Sequence, residues 1–137
     1  LGFGLQYGAA RNVLSRIVMA VTSYRDLEVW QRAMTLAEAC YGLTAELPVE
    51  ERFTLCVQIR RAAVSIPANL AEGHRRPTRV YINHVSIALG SHAELETYLE
   101  LTRRLKFLQE ARIADAETLL KSVGQLLHGL SRALERL

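Results

Sequence analysis

The residues best suited to chemistry or recognition gather in one stretch, Gln58–Arg79, which reads QIRRAAVSIPANLAEGHRRPTR. It ends in a knot of arginines, Arg75, Arg76 and Arg79, beside His74. Guanidinium groups at this density suit bidentate contact with phosphate or carboxylate. A polar set, Ser65, Asn69 and Glu72, precedes them around Pro67 and Gly73. One reading is that Asn69 and Glu72 tie the helix to its neighbours. The other is a small polar site beside the arginines.

Catalytic patterns are scarce. The four histidines, His74, His84, His92 and His128, form no Glu-x-x-His pair of the kind that holds a di-iron centre in a bundle. His92 and Glu96 stand four apart on one helix, half a metal site with no matching half, so His92 reads as a hydrogen-bonded histidine near the core. Glu96 and Glu100 share a face with Arg103 and Arg104, where surface ion pairing is a sufficient account. Cys40 and Cys56 have no metal-ligand spacing and read as reduced core thiols. With no phosphate-cradling glycine loop and no nucleophile motif, neither an enzyme, nor a cofactor, nor a bound metal is expected.

Four helices are expected to position these groups. The first carries Leu27, Trp30, Ala33/Met34, Ala37, Cys40/Tyr41, Thr44 and Leu47 at three- and four-residue steps. Thr22 or Ser23 is the expected cap, and Pro48 stops it. The second runs from near Glu50, with Phe53, Cys56, Ile59, Ala63, Ile66 and Leu70 on one stripe. Pro67 should bend it and leave the carbonyl of Ala63 without its donor, near Ser65 and Asn69. Gly73 is the expected C-cap.

Pro77 and Thr78 open the third helix. It has two apolar faces, Tyr81/Val85/Ala88/His92/Leu95/Leu99 and Ile87/Tyr98/Leu101/Leu105/Leu108, which implies burial on two sides. Gly90-Ser91 reads as a contact point for a neighbouring helix, and fraying is expected near Phe107. The fourth carries the clearest stripe: Ile113, Ala116, Leu119/Leu120, Val123, Leu126/Leu127, Leu130, Leu134 and Leu137. No strand alternation interrupts the pattern. The expected fold is all-α, an antiparallel up-down-up-down four-helix bundle over residues 24–137.

The segment 1–23 reads differently. Glycines at 2, 4 and 8 disfavour a helix start, and the apolar run Ile17–Val21 is too short for a membrane span or a signal-peptide core. A leader outside the domain is the first reading, a docked arm that pairs with a neighbouring subunit the second. No membrane partner is implied, and the reduced cysteines fit a cytoplasmic protein.

The chain has 137 residues and is 50% apolar, more than one helical domain of this size needs, which points to a subunit interface. Its net charge is +3, and the domain from residue 25 onward carries only +1. Nucleic acid would therefore be recruited by a local patch, not by the domain as a whole. The up-down topology supplies one: Arg75, Arg76 and Arg79 come beside Arg25, Arg132 and Arg136, while the other end mixes Glu46, Glu50 and Glu51 with Arg103, Arg104, Lys106 and Arg112. The alternative is that these arginines pair with Glu72, Glu135 or a neighbouring subunit.

YRDLEVWQRA, QIRRAAVSIPANLAEG and IALGSHAELETYLEL followed by RLKFL make the chain resemble the bacterial four-helix-bundle proteins related to the 23S rRNA intervening-sequence protein. The resemblance spans roughly Tyr24 to Arg132. The family motif SIPxNxAEG falls on Ser65–Gly73, with Leu70 where Ile is common. The resemblance implies a ring-like homopentamer and carries over no catalytic residue. A distant structural relative, the accessory variability protein of diversity-generating retroelements, is a basic pentamer that binds nucleic acid, whereas the domain here is nearly neutral. The expected function is a non-enzymatic oligomeric interaction module that binds RNA, DNA or a nucleic-acid-processing partner through the basic end. The alternative is a protein-only homo-oligomeric scaffold.

Overall fold

A computed structural model describes residues 21–137; the readings of residues 1–20 as leader or arm lie outside them. Four helices follow one another: α1 (Glu28–Thr44), α2 (Leu55–His74), α3 (Thr78–Arg104) and α4 (Glu110–Glu135), with no strand among the described residues. Each packs against its chain neighbour and α1 closes on α4, the arrangement of an antiparallel four-helix bundle. The expected fold class is the one observed.

Ser23 does cap, but it caps a 3-10 turn (Tyr24–Asp26) ahead of α1: its Oγ accepts from the Arg25 amide at 3.2 Å. Leu27 then stays extended to bury its side chain, so α1 starts at Glu28. A second 3-10 turn, Val49–Glu51, delays α2 until Leu55, later than the expected start near Glu50. The Glu51 carboxylate closes that turn by accepting from the Thr54 hydroxyl at 2.6 Å and the Leu55 amide at 3.4 Å. Phe53 falls in this delay and is left 77% exposed, under the Arg52 guanidinium, instead of joining the core stripe.

α2 runs unbroken through Pro67. Asn69 Nδ2 donates to the Ser65 carbonyl at 2.8 Å, so the side chain serves the carbonyl one turn behind it, not that of Ala63. Gly73 does not cap the helix. It lies inside α2, buried and with no positive φ, and the helix ends one residue later at His74. Its role is close approach: a Cβ there would stand 2.7 Å from Tyr81 Cδ2 and 2.8 Å from His84 Cβ. α3 ends in a Schellman turn. Lys106 takes the left-handed conformation (φ 57°), Phe107 N donates to Thr102 O at 3.3 Å and Lys106 N to Arg103 O at 3.0 Å.

Leu36, Leu43, Ile59, Ile66, Leu70, Leu95, Leu99, Ile113, Leu127 and Leu134 fill the core. Each contributes about 1.5–3 kcal/mol by leaving water. Val29, Leu36 and Leu43 widen the α1 stripe, while Met34 and Tyr41 sit at its exposed edge. Leu119 and Leu126 are only half-buried and Leu137 is exposed; Leu120 and Leu127 are the core members of their pairs. On the second face of α3, Ile87, Leu101 and Leu105 are exposed, and Tyr98 and Leu108 half-buried. Cys40 and Cys56 are buried and unpaired, and burial pushes the Cys40 thiol up to about 12. No described helix is long and apolar enough to cross a membrane.

Candidate nucleic-acid interface at the basic end

Arg32 of α1 donates to Ser122 of α4, and Arg112 Nε of α4 donates at 2.9 Å to Glu46 in the turn after α1; these contacts set the register of the two helices. Running antiparallel from these ties, the last turn of α4, with Arg132 and Arg136, comes level with the start of α1. At the end of α2, the His74 Nε2–H donates to the carbonyl of Val21, ahead of the 3-10 turn, at 3.0 Å. Arg25 and Arg75 then converge on one ring, with guanidinium carbons 5.7 and 5.6 Å from the centroid of Tyr24. Arg76 approaches Glu72 at 3.8 Å, and Arg79 stands in the first turn of α3 beside Val80, Ile82, Asn83 and Ser86. Contacts therefore join Arg25 with Arg75. Arg132 and Arg136 share the end by register only, with no side-chain hydrogen bond or ion pair for either among the described residues; the Arg136 amide donates to the Ala133 carbonyl at 3.4 Å.

The two ends differ in how their charge is compensated. At the far end Arg103 bonds Glu100, Glu110 and Glu117 together, Arg104 takes the other oxygen of Glu100 at 3.0 Å, and Arg112 holds Glu46. Hydrogen bonds from Arg112 hold Glu46 below the usual carboxylate range, and those from Arg103 and Arg104 do the same for Glu100. Among the described residues, the ion pair of an arginine at the 74–79 end is the long one from Arg76 to Glu72. Arg25, Arg75 and Arg79 are exposed and have none among the described residues. Among the described residues, Arg25, Arg75 and Arg79 at this end are guanidinium groups without a carboxylate partner.

Behind the arginines lies a continuous polar chain between α2 and α3. Ser91 Oγ donates to Ser65 Oγ at 2.7 Å, and Asn69 Nδ2 donates to the same oxygen at 3.0 Å. Because its amide nitrogen is committed to Ser65, Asn69 Oδ1 accepts from His84 Nδ1 at 3.0 Å, which fixes the proton on Nδ1. His84 Nε2 and Arg76 both face Glu72 Oε1 at 3.8 Å. Ser65, Asn69 and Glu72 are thus brought together by Ser91, expected from the sequence only as a helix contact point, and by His84, to which the sequence assigned no role. The available signal is their seven-residue spacing on α3, facing Ser65 and Asn69 in an antiparallel pair. Gly90 is exposed and a Cβ there would meet nothing, so Ser91 makes the contact expected of Gly90-Ser91. Pro67 stands apart from the chain: it is buried and lines an apolar groove with Met34, Ala37, Tyr41 and Val64.

His92 has a structural partner. Its Nε2–H donates to the Leu120 carbonyl at 2.7 Å, and Gly124 makes room, since a Cβ there would lie 2.6 Å from Nε2. Nδ1 faces Glu96 at 3.0 Å. Among the described residues no three His, Cys, Asp or Glu side chains group as metal ligands.

Fold and site together define a four-helix bundle in which Arg103, Arg104 and Arg112 are ion-paired at one end, while Arg25, Arg75 and Arg79 at the other have no ion pair among the described residues. The family described as 23S rRNA-intervening sequence protein matches residues 25–129, and the chain belongs to that family. It is similar to the crystal structure of a protein of unknown function from the S23 ribosomal protein family of Bacteroides thetaiotaomicron VPI-5482, with 26% identity and a TM-score of 0.70 over 75% of this chain and 94% of that one. No curated protein matches the chain.

Proposed function

We propose that the protein is a non-catalytic, cytoplasmic homo-oligomeric module that binds nucleic acid, or a partner that processes it, through the 74–79 end. The observation that carries this reading is the contrast in compensation. Arg103, Arg104 and Arg112 are tied up by carboxylates, whereas Arg25, Arg75 and Arg79 are exposed without an ion pair among the described residues. Exposed guanidinium groups exchange readily for counterions on a phosphate backbone, so binding should weaken with salt by close to one power of salt concentration per phosphate neutralised. The family name, which refers to an rRNA intervening sequence, is consistent with such a partner.

Self-association is supported by the exposed Ile87, Leu101 and Leu105 and by the apolar groove between α1 and α2. The assembly proposed is the homopentamer that the family resemblance implies. These same apolar surfaces favour the second reading, a protein-only scaffold whose arginines serve subunit contacts. Binding of labelled RNA and DNA at two salt concentrations, with an Arg75/Arg76/Arg79→Ala variant sized by light scattering, separates the two. Salt-sensitive binding that disappears at constant oligomer size supports the module. Loss of the oligomer in the variant supports the scaffold.

A further inference from the structure

The arginines of the basic end are interleaved with aromatic rings. Tyr24 occupies the 3-10 turn ahead of α1 and stands edge-on to Trp30, with centroids 5.3 Å apart and planes inclined at 61°. Arg25 lies within reach of both rings, 5.7 Å from Tyr24 and 5.9 Å from Trp30, and Arg75 approaches Tyr24 from the end of α2 at 5.6 Å. Both rings are only half-buried and all four neighbouring arginines, 25, 75, 76 and 79, are exposed. The carboxylates nearest in sequence are Asp26, which is exposed, Glu28, which pairs with Arg32, and Glu72, which Arg76 approaches.

A surface built only to hold a duplex backbone needs cations and has no use for partly exposed aromatic rings, because duplex bases are already stacked on one another. A strand with unpaired bases can use both, stacking bases on aromatic rings and guanidinium planes while cations follow its phosphates. We infer that the Tyr24–Trp30–Arg25–Arg75 corner is a binding surface for single-stranded nucleic acid. Unpaired bases stack on Tyr24 and the Arg25 and Arg75 planes, and Arg76 and Arg79 follow the backbone. This rests on the basic-end reading and narrows it to one chemical class.

Trp30 is the only tryptophan in the chain, so its fluorescence reports on this corner directly. The test titrates full-length protein with short single-stranded oligonucleotides and with duplexes matched in phosphate number, using wild type, Tyr24→Leu and Tyr24→Phe. Single strands are expected to bind more tightly than duplex and to change Trp30 emission. Tyr24→Leu should weaken single-strand binding roughly 5- to 100-fold, the range of one base–aromatic stack, while Tyr24→Phe retains it and duplex binding is unchanged. Should Tyr24→Leu fail to fold by circular dichroism, Arg75→Gln keeps the ring and should cost single-strand binding more than duplex binding. Equal affinity for both forms, or single-strand binding indifferent to Tyr24→Leu, overturns this inference and leaves the basic end standing. Absence of binding to either form at low salt overturns both.

Discussion

Gly73 and Tyr81 are packed so closely that a single added methyl would collide: a Cβ on the glycine would lie 2.7 Å from the tyrosine ring. Tyr81 is buried, and its ring meets His74 edge-on at 5.9 Å between centroids. The glycine therefore governs how closely α2 and α3 approach just before the arginine turn. Gly73→Ala should raise helix propensity and still destabilise, by about 1–3 kcal/mol, because overpacking at a rigid contact outweighs the propensity gain. Urea denaturation checks this; a stabilised variant would mean that Tyr81 moves aside freely.

The polar chain behind the arginines should be structurally costly to cut at its middle. Asn69→Ala leaves His84 Nδ1 and the Ser65 hydroxyl without their shared partner between packed helices. A loss of about 1–3 kcal/mol is expected, against about 0.5–1.5 kcal/mol for Ser91→Ala at the end of the chain. Equal effects from both variants in chemical denaturation would show that Asn69 does not hold the chain together.

Adjacent leucines on α4 separate core from edge. Leu127 is fully buried and Leu126 is not. Leu127→Ala should cost about 2–5 kcal/mol and Leu126→Ala clearly less. Paired thermal melts give the ranking, and a reversed order would contradict the rotation of α4 in the bundle.

Acid should loosen the compensated end first. Glu46 and Glu100 are held below the ordinary carboxylate value of 4.5, by hydrogen bonds from Arg112 and from Arg103 with Arg104. A carboxylate with a depressed folded value stabilises the fold above its unfolded value, and that contribution is lost as pH falls through the folded one. Stability should therefore decline from about pH 4.5 downward, and Glu46→Gln with Glu100→Gln should flatten the decline. The check is the urea midpoint of both proteins across that window. Parallel curves would show that these pairs do not set acid sensitivity.

Much of this architecture was legible in the sequence because helical periodicity reports burial directly. The buried face of α3, most of the α4 stripe and the opening at Pro77 needed nothing beyond spacing, whereas α1 ends at Thr44, ahead of the stop expected at Pro48. Residues whose state depends on a partner helix were harder to read. Gly73 has the residue type of a C-cap, but its use is set by Tyr81 and His84 across the interface. Phe53 fits the α2 period and still points to solvent, because the Val49–Glu51 turn shifts where the helix begins. At the site, charge and topology placed the arginines at one end. The Tyr24 corner and the His84 link depend on the relative rotation of helices, which one chain's periodicity does not encode.

The most direct test of the basic end is a charge-matched comparison. Arg75/Arg76/Arg79→Ala removes three cations from that end, and Arg52/Arg104/Lys106→Ala removes three exposed cations from the other. With oligomer size verified, both would be titrated with labelled RNA and DNA at low and at moderate salt. Loss of affinity and a shallower salt slope in the first variant alone is the predicted result. Equal losses in the two variants, or undiminished binding in the first, would contradict the assignment of recognition to the 74–79 end.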